Sequence, residues 1–381
     1  MGQIEINHTG SGGTVVLSSD GTDLLLGGSA VGGSPDLFAE NYDGTSTLPS
    51  ATGTNAVAIG RSAVASGSNA YAIYQGTGSG AGALAFRGTA SGSSSMALMY
   101  GTTASSVYSC AIGQNSSGGG SQALTGSGAM ALGGSRASGT DSFAAAIANN
   151  TSSYGAAGAN SVAIGQTARS AQTNAVALGG NSLANGASSF AFGGTASGSY
   201  SFAFGGTASG TAAVNLLGGT ASGERSLAVG FRSSATKYGQ KAFASGRFAA
   251  DGDAQGSIFI LRSDTTNATA EAMTTNNSTA AATNQVVAAS DTCIMFSGTI
   301  VAMQNGAADQ GGWEIKGLLK NDGGTTTLVN SEVRTFADGN GWSIVLSADN
   351  TNNALKVQCT GEASHNIRWV ANIQTSEVTY A

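Results

Sequence analysis

The chain has 381 residues, of which 59 are glycine, 2 are proline and only 9% are charged. So little charge excludes a charge-driven disordered chain, and so much glycine without proline or a Gly-X-Y period excludes collagen. The net charge of −6 is uneven: residues 1–50 hold acids and no base, 51–256 carry a basic excess and 257–381 an acidic one. These shifts set expected boundaries at 1–50, 51–256 and 257–381. The basic residues Arg225, Arg232, Lys237, Lys241 and Arg247 are too dispersed for a nucleic-acid patch, so no such partner is expected. No run of eighteen apolar residues is present, so neither a transmembrane helix nor membrane insertion is expected. Met1 to His8 lacks the basic and apolar regions of a signal peptide, so no leader is expected. The cysteines Cys110, Cys293 and Cys359 are far apart, which suits small buried residues rather than a disulfide or metal framework. No metal or cofactor is expected.

Taken in order, Val15–Leu17 and Leu24–Leu26 flank Ser18-Ser19-Asp20-Gly21 and predict a β-hairpin. Residues 36–42 read as a short helical or irregular piece. So few apolar side chains in 1–50 cannot bury a core alone, so this segment is expected to pack on other copies or on a larger assembly. From Asn55 a repeat begins. Its apolar–Ala–apolar cores start at Val57, Tyr71, Leu84, Met96, Cys110, Met130, Phe143, Val162, Val176, Phe190, Phe202, Val214, Leu227 and Phe243, with a doubtful copy at Gln122. Steps of mostly twelve to fourteen residues are too short for a helix pair and fit one coil of a β-solenoid, giving some fifteen coils. Period-two alternation puts Val162 and Ile164 on one face and Ala163 on the other. Glycine after each core allows a tight turn.

A coil this short encloses little volume, and its alanine face is too apolar to leave in water. Burial against copies of the same chain about a common axis answers both points, and a homotrimer is the closed form that fits. Ala58, Ala163, Ala177, Ala191 and Ala203 are then the small positions where three chains converge. Asn215 occupies the alanine slot in Val214-Asn215-Leu216; either it is a solvent-facing or self-bonded residue of an irregular coil, or three such side chains on the axis make a site for water or an ion.

Residues 257–381 change character. Gly256 to Arg262 opens this part, a polar tract at 264–283 reads as a loop, and strand-like runs follow at 286–289, 293–303, 312–319, 325–329, 342–347, 354–359 and 367–380. Turns such as Asn321-Asp322-Gly323-Gly324 separate them, which predicts an antiparallel sandwich or jelly roll. Trp313, Trp342 and Trp369 all lie here. Either they are core residues or their faces bind host sugars, with Trp313, after Gly311-Gly312, the one expected at the surface.

Thr54-Asn55-Ala56-Val57-Ala58-Ile59-Gly60 and Asn160-Ser161-Val162-Ala163-Ile164-Gly165 resemble the head repeats of trimeric autotransporter adhesins. The resemblance spans roughly 55–250 and implies left-handed parallel β-rolls that trimerise. That family also carries a secretion signal, a coiled-coil stalk and a membrane β-barrel, and the sequence shows none of their patterns. Residues 247–255, 348–357 and 367–371 resemble the C-terminal domain of phage tail fibres, and residues 16–26 resemble the start of structural proteins of marine phages, cyanophages especially. The resemblances imply an all-β chain: a trimeric left-handed parallel β-roll followed by a C-terminal antiparallel β-sandwich. Residues 1–50 would join other tail or virion proteins, 51–256 would form a shaft, and 257–381 a tip that meets a host cell-surface glycan or protein. The expected function is that of a homotrimeric phage tail fibre that binds the host receptor, located on the virion. The alternatives are a neck, capsid or baseplate fibre, a tail-associated polysaccharide depolymerase, or a cellular surface adhesin.

Enzyme chemistry has little to work with at this level. His8 and His365 lie in different regions, with Cys359 the nearest thiol to the latter. The repeat holds only Asp141, Glu224, Asp251 and Asp253, too sparse for a carboxylate groove, and Glu314 and Glu332 pair only if the fold brings them together. Gly76–Gly82 lacks the βαβ context of a phosphate loop. The expectation is no catalytic residue and no enzyme.

Overall fold

The computed structural model describes residues 47–380 apart from 116–117, 146–152 and 307–308, together with the backbone of four short strands between residues 4 and 30. It is all-β: a parallel β-solenoid of about 13 turns, then antiparallel strands. Among the described residues no helix is long enough and apolar enough to cross a membrane. Two compact units divide the chain, 1–134 and 135–381.

In the first unit, Val15–Ser19 pairs antiparallel with Leu24–Leu26, which gives the expected hairpin with Ser18 and Ser19 in the strand rather than in the turn. The piece expected at 36–42 lies outside the described residues. Each coil then alternates a three-residue strand with a two-residue strand, as in Val57–Ile59 and Val64–Ala65. Like strands stack in parallel, with Val57 beside Tyr71 and Ala58 beside Ala72. The second unit continues the same plan from Arg136–Ala137 and Phe143–Ala145 to Ser234–Ala235 and Lys241–Phe243. Two readings of the repeat are corrected. Gln122–Ala123 is a two-residue strand beside Thr103–Ala104, so no coil starts there. The last coil starts at Lys241, which pairs with Leu227, and Phe243 is its third strand residue. A lysine in an otherwise apolar slot hid that register.

Recurring backbone devices close the coil. Two residues before each long strand the chain turns left-handed, at Asn55, Asn69, Asn160 and Asn174 (φ 52–57°) and at Tyr108, Tyr200 and Arg225. Asparagine tolerates this region best, and the coil beneath holds the rest, as in Tyr200 N–H to Ala187 O at 2.9 Å. Stacked asparagines also bond along the column, Asn160 Nδ2 to Asn174 Oδ1 at 3.3 Å. After most of the short strands a glycine, as at Gly186, Gly198 and Gly210, sets the coil spacing. A Cβ on Gly198 would overlap the Gly210 carbonyl, lying 2.5 Å from its carbon. Several buried serines ahead of the long strands bond locally, as Ser189 Oγ does by donating to Gly186 O at 2.6 Å, whereas the hydroxyls of Ser161 and Ser201 have no partner within the chain.

The C-terminal strands are β1 (Ala254–Thr265), β2 (Glu271–Ala272), β3 (Val286–Val287), β4 (Thr292–Gln304), β5 (Gln310–Asp322), β6 (Thr325–Asp338), β7 (Ser343–Asp349), β8 (Ala354–Thr360) and β9 (Ile367–Thr379). One sheet runs β1-β9-β4-β5-β6, all antiparallel. In the other, β8 pairs with β2, β3 and β7. Period-two alternation sends Phe259, Leu261, Ile294, Phe296, Ile315 and Ile373 inward from the first sheet to meet Ile344, Leu355, Val357 and Cys359 of the second. The two sheets therefore share one apolar core, the arrangement of a sandwich.

Candidate functional site

All three tryptophans belong to that core. Trp313, Trp342 and Trp369 are 3%, 2% and 1% exposed. The rings of Trp313 and Trp369 stack with centroids 5.4 Å apart, and Trp342 packs on Trp369 at 5.6 Å. Trp369 Nε1 donates to Thr265 Oγ1 at 2.9 Å. A buried indole has no face to offer a sugar. The glycines before Trp313 carry the opposite meaning from the one expected. A Cβ on Gly311 would overlap the Trp313 ring, lying 2.7 Å from its Cζ3, so Gly311 is small in order to admit the indole. Gly339 makes room for Trp342 in the same way.

The alanine slots are also placed differently from expectation. Ala163, Ala177, Ala191 and Ala203 are fully buried, and Ala58 nearly so, within a single chain. Their methyls fill the gap between a coil's own two strands, along with alanines of the short strands such as Ala65, Ala184, Ala196 and Ala208. The coil is thin enough for methyl groups to complete its core, so these positions need no second chain. The residues flanking each alanine point outward. They are Val57 and Ile59 through Met130 and Leu132 in the first unit, and Val162 and Ile164 through Leu227 and Val229 in the second. Every outward position on the long strands is apolar except Lys241. In the second unit the rings stack down the columns, Phe190 on Phe202 at 5.2 Å and Phe192 on Phe204 at 5.1 Å. Phe192, Phe204 and Phe243 are exposed on the single chain. An apolar stripe repeated coil after coil exceeds the scattered apolar exposure normal for a monomer.

Asn215 sits inside the coil rather than on an axis. It is fully buried, and neither its Oδ1 nor its Nδ2 has a hydrogen-bond partner in the chain. Gly206 makes space for it, since a Cβ there would lie 2.9 Å from Asn215 Cγ. An orphaned buried amide costs about 1–3 kcal/mol. Asn215→Ala, which restores the column's usual residue, is therefore expected to raise stability by about that amount, measured by thermal or denaturant unfolding.

The remaining candidate groups have local partners. Glu314 and Glu332 lie in neighbouring rows but bond to cations instead of each other, Glu332 with Lys316 at 2.9 Å and Glu314 with Arg334 at 3.9 Å. Burial pushes the Cys359 thiol up to about 12, so it stays protonated, while His365 Nδ1 contacts Glu362 at 2.9 Å. Burial would raise Asp253, but backbone N–H groups of Ala249, Ala250 and Phe248 outweigh it and hold the carboxyl below its ordinary value. Asp253 thereby clamps the turn that leads from the last coil into β1. On the flanks of the coil, tyrosines stand out in place of the tryptophans. Tyr74, Tyr100, Tyr108 and Tyr200 are exposed, and Arg87 lies between the rings of Tyr74 and Tyr100, 5.4 and 5.6 Å from their centroids.

Comparisons with known proteins agree with the coil. Residues 51–73, 90–116, 156–182, 172–194 and 221–249 match the YadA head domain repeat. The chain is thus similar to adhesin head repeats over these segments. No curated protein matches it. Among solved structures it is similar to the tailspike protein gp49 of Acinetobacter baumannii bacteriophage Fri1, a capsular polysaccharide depolymerase, at 9% identity and a TM-score of 0.20, over 75% of this chain and 61% of that one. The tailspike protein of Acinetobacter baumannii phage AM24 matches at 11% identity and a TM-score of 0.19, over 71% and 49%. The chain therefore spans about three fifths and one half of those tailspikes, and at these scores the coil and the sandwich do not rest on them. The cyanophage affinity expected for residues 16–26 has no counterpart among these matches. The expectation of a non-enzyme is corrected, because one of these tailspikes is a depolymerase. That expectation rested on sparse acids along the coil, yet a glycosidase needs only one suitably spaced carboxyl pair.

Proposed function

We propose that the chain is the subunit of a homotrimeric adhesive fibre on the outside of a virion. Residues 1–50 attach it to other virion proteins, 51–256 form a left-handed shaft, and 257–381 form the tip. The observation that carries this reading is the outward apolar column of the long strands within each unit, on repeats of the adhesin-head type. Such a face is stable in water only when covered, and a repeated surface is most simply covered by copies of itself. The partner on the host side is a cell-surface glycan or protein, met many times over by three chains, which raises avidity without tight single contacts. The lateral tyrosines provide ring faces with a polar tip for such contacts. Purified protein is expected to block adsorption of the virus to its host cells in a dose-dependent way. Unchanged adsorption at saturating protein would remove receptor binding, and release of reducing ends from host polysaccharide would move the chain to the depolymerase class.

A further inference from the structure

The long sheet of the coil does not end at the last coil. Lys241–Phe243 pairs antiparallel with β1, with Ala242 opposite Ser257 and Lys241 opposite Ile258. Directly opposed residues share a side of a sheet. Ala242 and Ser257 are both buried, so Lys241 and Ile258 are both outward. The outward columns of the coil thus run without a break onto the outer face of the β1-β9-β4-β5-β6 sheet. Two rows cross it next to the coil, Ile258–Gln374–Ser297 and Ile260–Asn372–Thr299. Apart from Lys241 at the junction with the coil, these rows carry no charge until they reach β5. There the ion pairs of Lys316 with Glu332 and Glu314 with Arg334 take over. A rotation axis brings each residue close to its own copies, so a charge beside it would meet its like. An uncharged band continuing the coil's apolar face is therefore what contact between identical chains requires.

A groove opens on the same face, toward its far end. Its volume is about 770 Å³, with Val301, Met303 and Val370 exposed in its lining beside Gln304, Asn366 and an Arg368–Asp264 ion pair at 3.8 Å, whose opposite charges offset each other. We infer that this face of the tip is a self-contact whose groove is filled by side chains of further copies of the same chain, not by a receptor. The inference rests on the self-association of the coil proposed above. It leaves the β7–β8 side and the loop at 266–285 as the surface turned toward the host.

Native methionines report on this directly. Met295 and Met303 lie on the face and are 52% and 54% exposed on the single chain, whereas Met273 is a core residue. The full-length protein is treated with dilute peroxide beside a urea-unfolded sample, with light scattering for mass and peptide mass spectrometry for sulfoxide. The expected result is a mass above one chain, with Met295 and Met303 oxidising at least ~10-fold slower than in urea, as Met273 does. An assembled mass with both methionines within ~2-fold of their rates in urea overturns the tip contact and leaves the coil contact standing. The mass of a single chain overturns both.

Discussion

Gly198→Ala is expected to destabilise the coil by about 3 kcal/mol, within or above the usual cost of overpacking. Gly198 follows the short strand Thr195–Ala196, where the next coil passes closest. Its neighbours in the column, Gly186 and Gly210, are also glycine, and every backbone atom nearby belongs to the stack. The added methyl would overlap the Gly210 carbonyl, and backbone is not the far end of a flexible side chain. The coils would have to part, stretching Ser197 N–H to Ala208 O at 2.9 Å and Gly198 N–H to the same oxygen at 3.3 Å. Each such bond contributes about 1 kcal/mol. Ser106 and Gln172 stand in the same column, so the prediction is confined to positions with glycine above and below. Thermal unfolding is the measurement. Ser209→Ala, at an exposed site one residue before Gly210, should melt like the parent. Equal melting of Gly198→Ala and Ser209→Ala would mean that the coil spacing is not set by this column.

Phe204→Asp is expected to split the assembly while leaving the chain folded. On the single chain Phe204 is 39% exposed and stacks on Phe192, so in a monomer the substitution loses one ring contact and adds a solvated charge. In a trimer the same site appears three times. Covering the exposed two fifths of each Phe204 contributes about 0.6–1.2 kcal/mol, so roughly 2–4 kcal/mol leaves the interface at once. Three carboxylates would also be brought together out of water. Light scattering should give the mass of one chain with the β circular-dichroism signal kept. Ser209→Asp, which adds the same charge on the opposite side of the coil, should remain assembled. An assembled Phe204→Asp protein would place the self-contact on another face.

The contrast between Phe204 and Ala203 shows what the sequence carries. Its period, its glycine turns and the C-terminal strands are set by local rules of strand alternation and turn chemistry, so they were legible. Alternation also says that Val162 and Ile164 share a side opposite Ala163. It does not say which side is inside, because that depends on the distance between a coil's two strands. Since that gap is only methyl-wide, the alanines turned out to be core and the larger side chains surface. The tryptophans follow the same logic in reverse. Gly311 looked like a flexible approach to an exposed ring, while in three dimensions it is the space the ring occupies. Lys241 masked a register, and Gln122 imitated one, because a single slot departed from the pattern each time. The continuity from Lys241 to Ile258 is a pairing between distant elements and left no local trace.

In the assembled fibre the outward columns of the long strands are expected to be covered by copies of this chain. The molar mass of the purified full-length protein in solution tests it most directly. The expected mass is about 111 kDa, three chains of 37.1 kDa, persisting on dilution to low micromolar concentration. A folded single chain of 37.1 kDa at that concentration would contradict it.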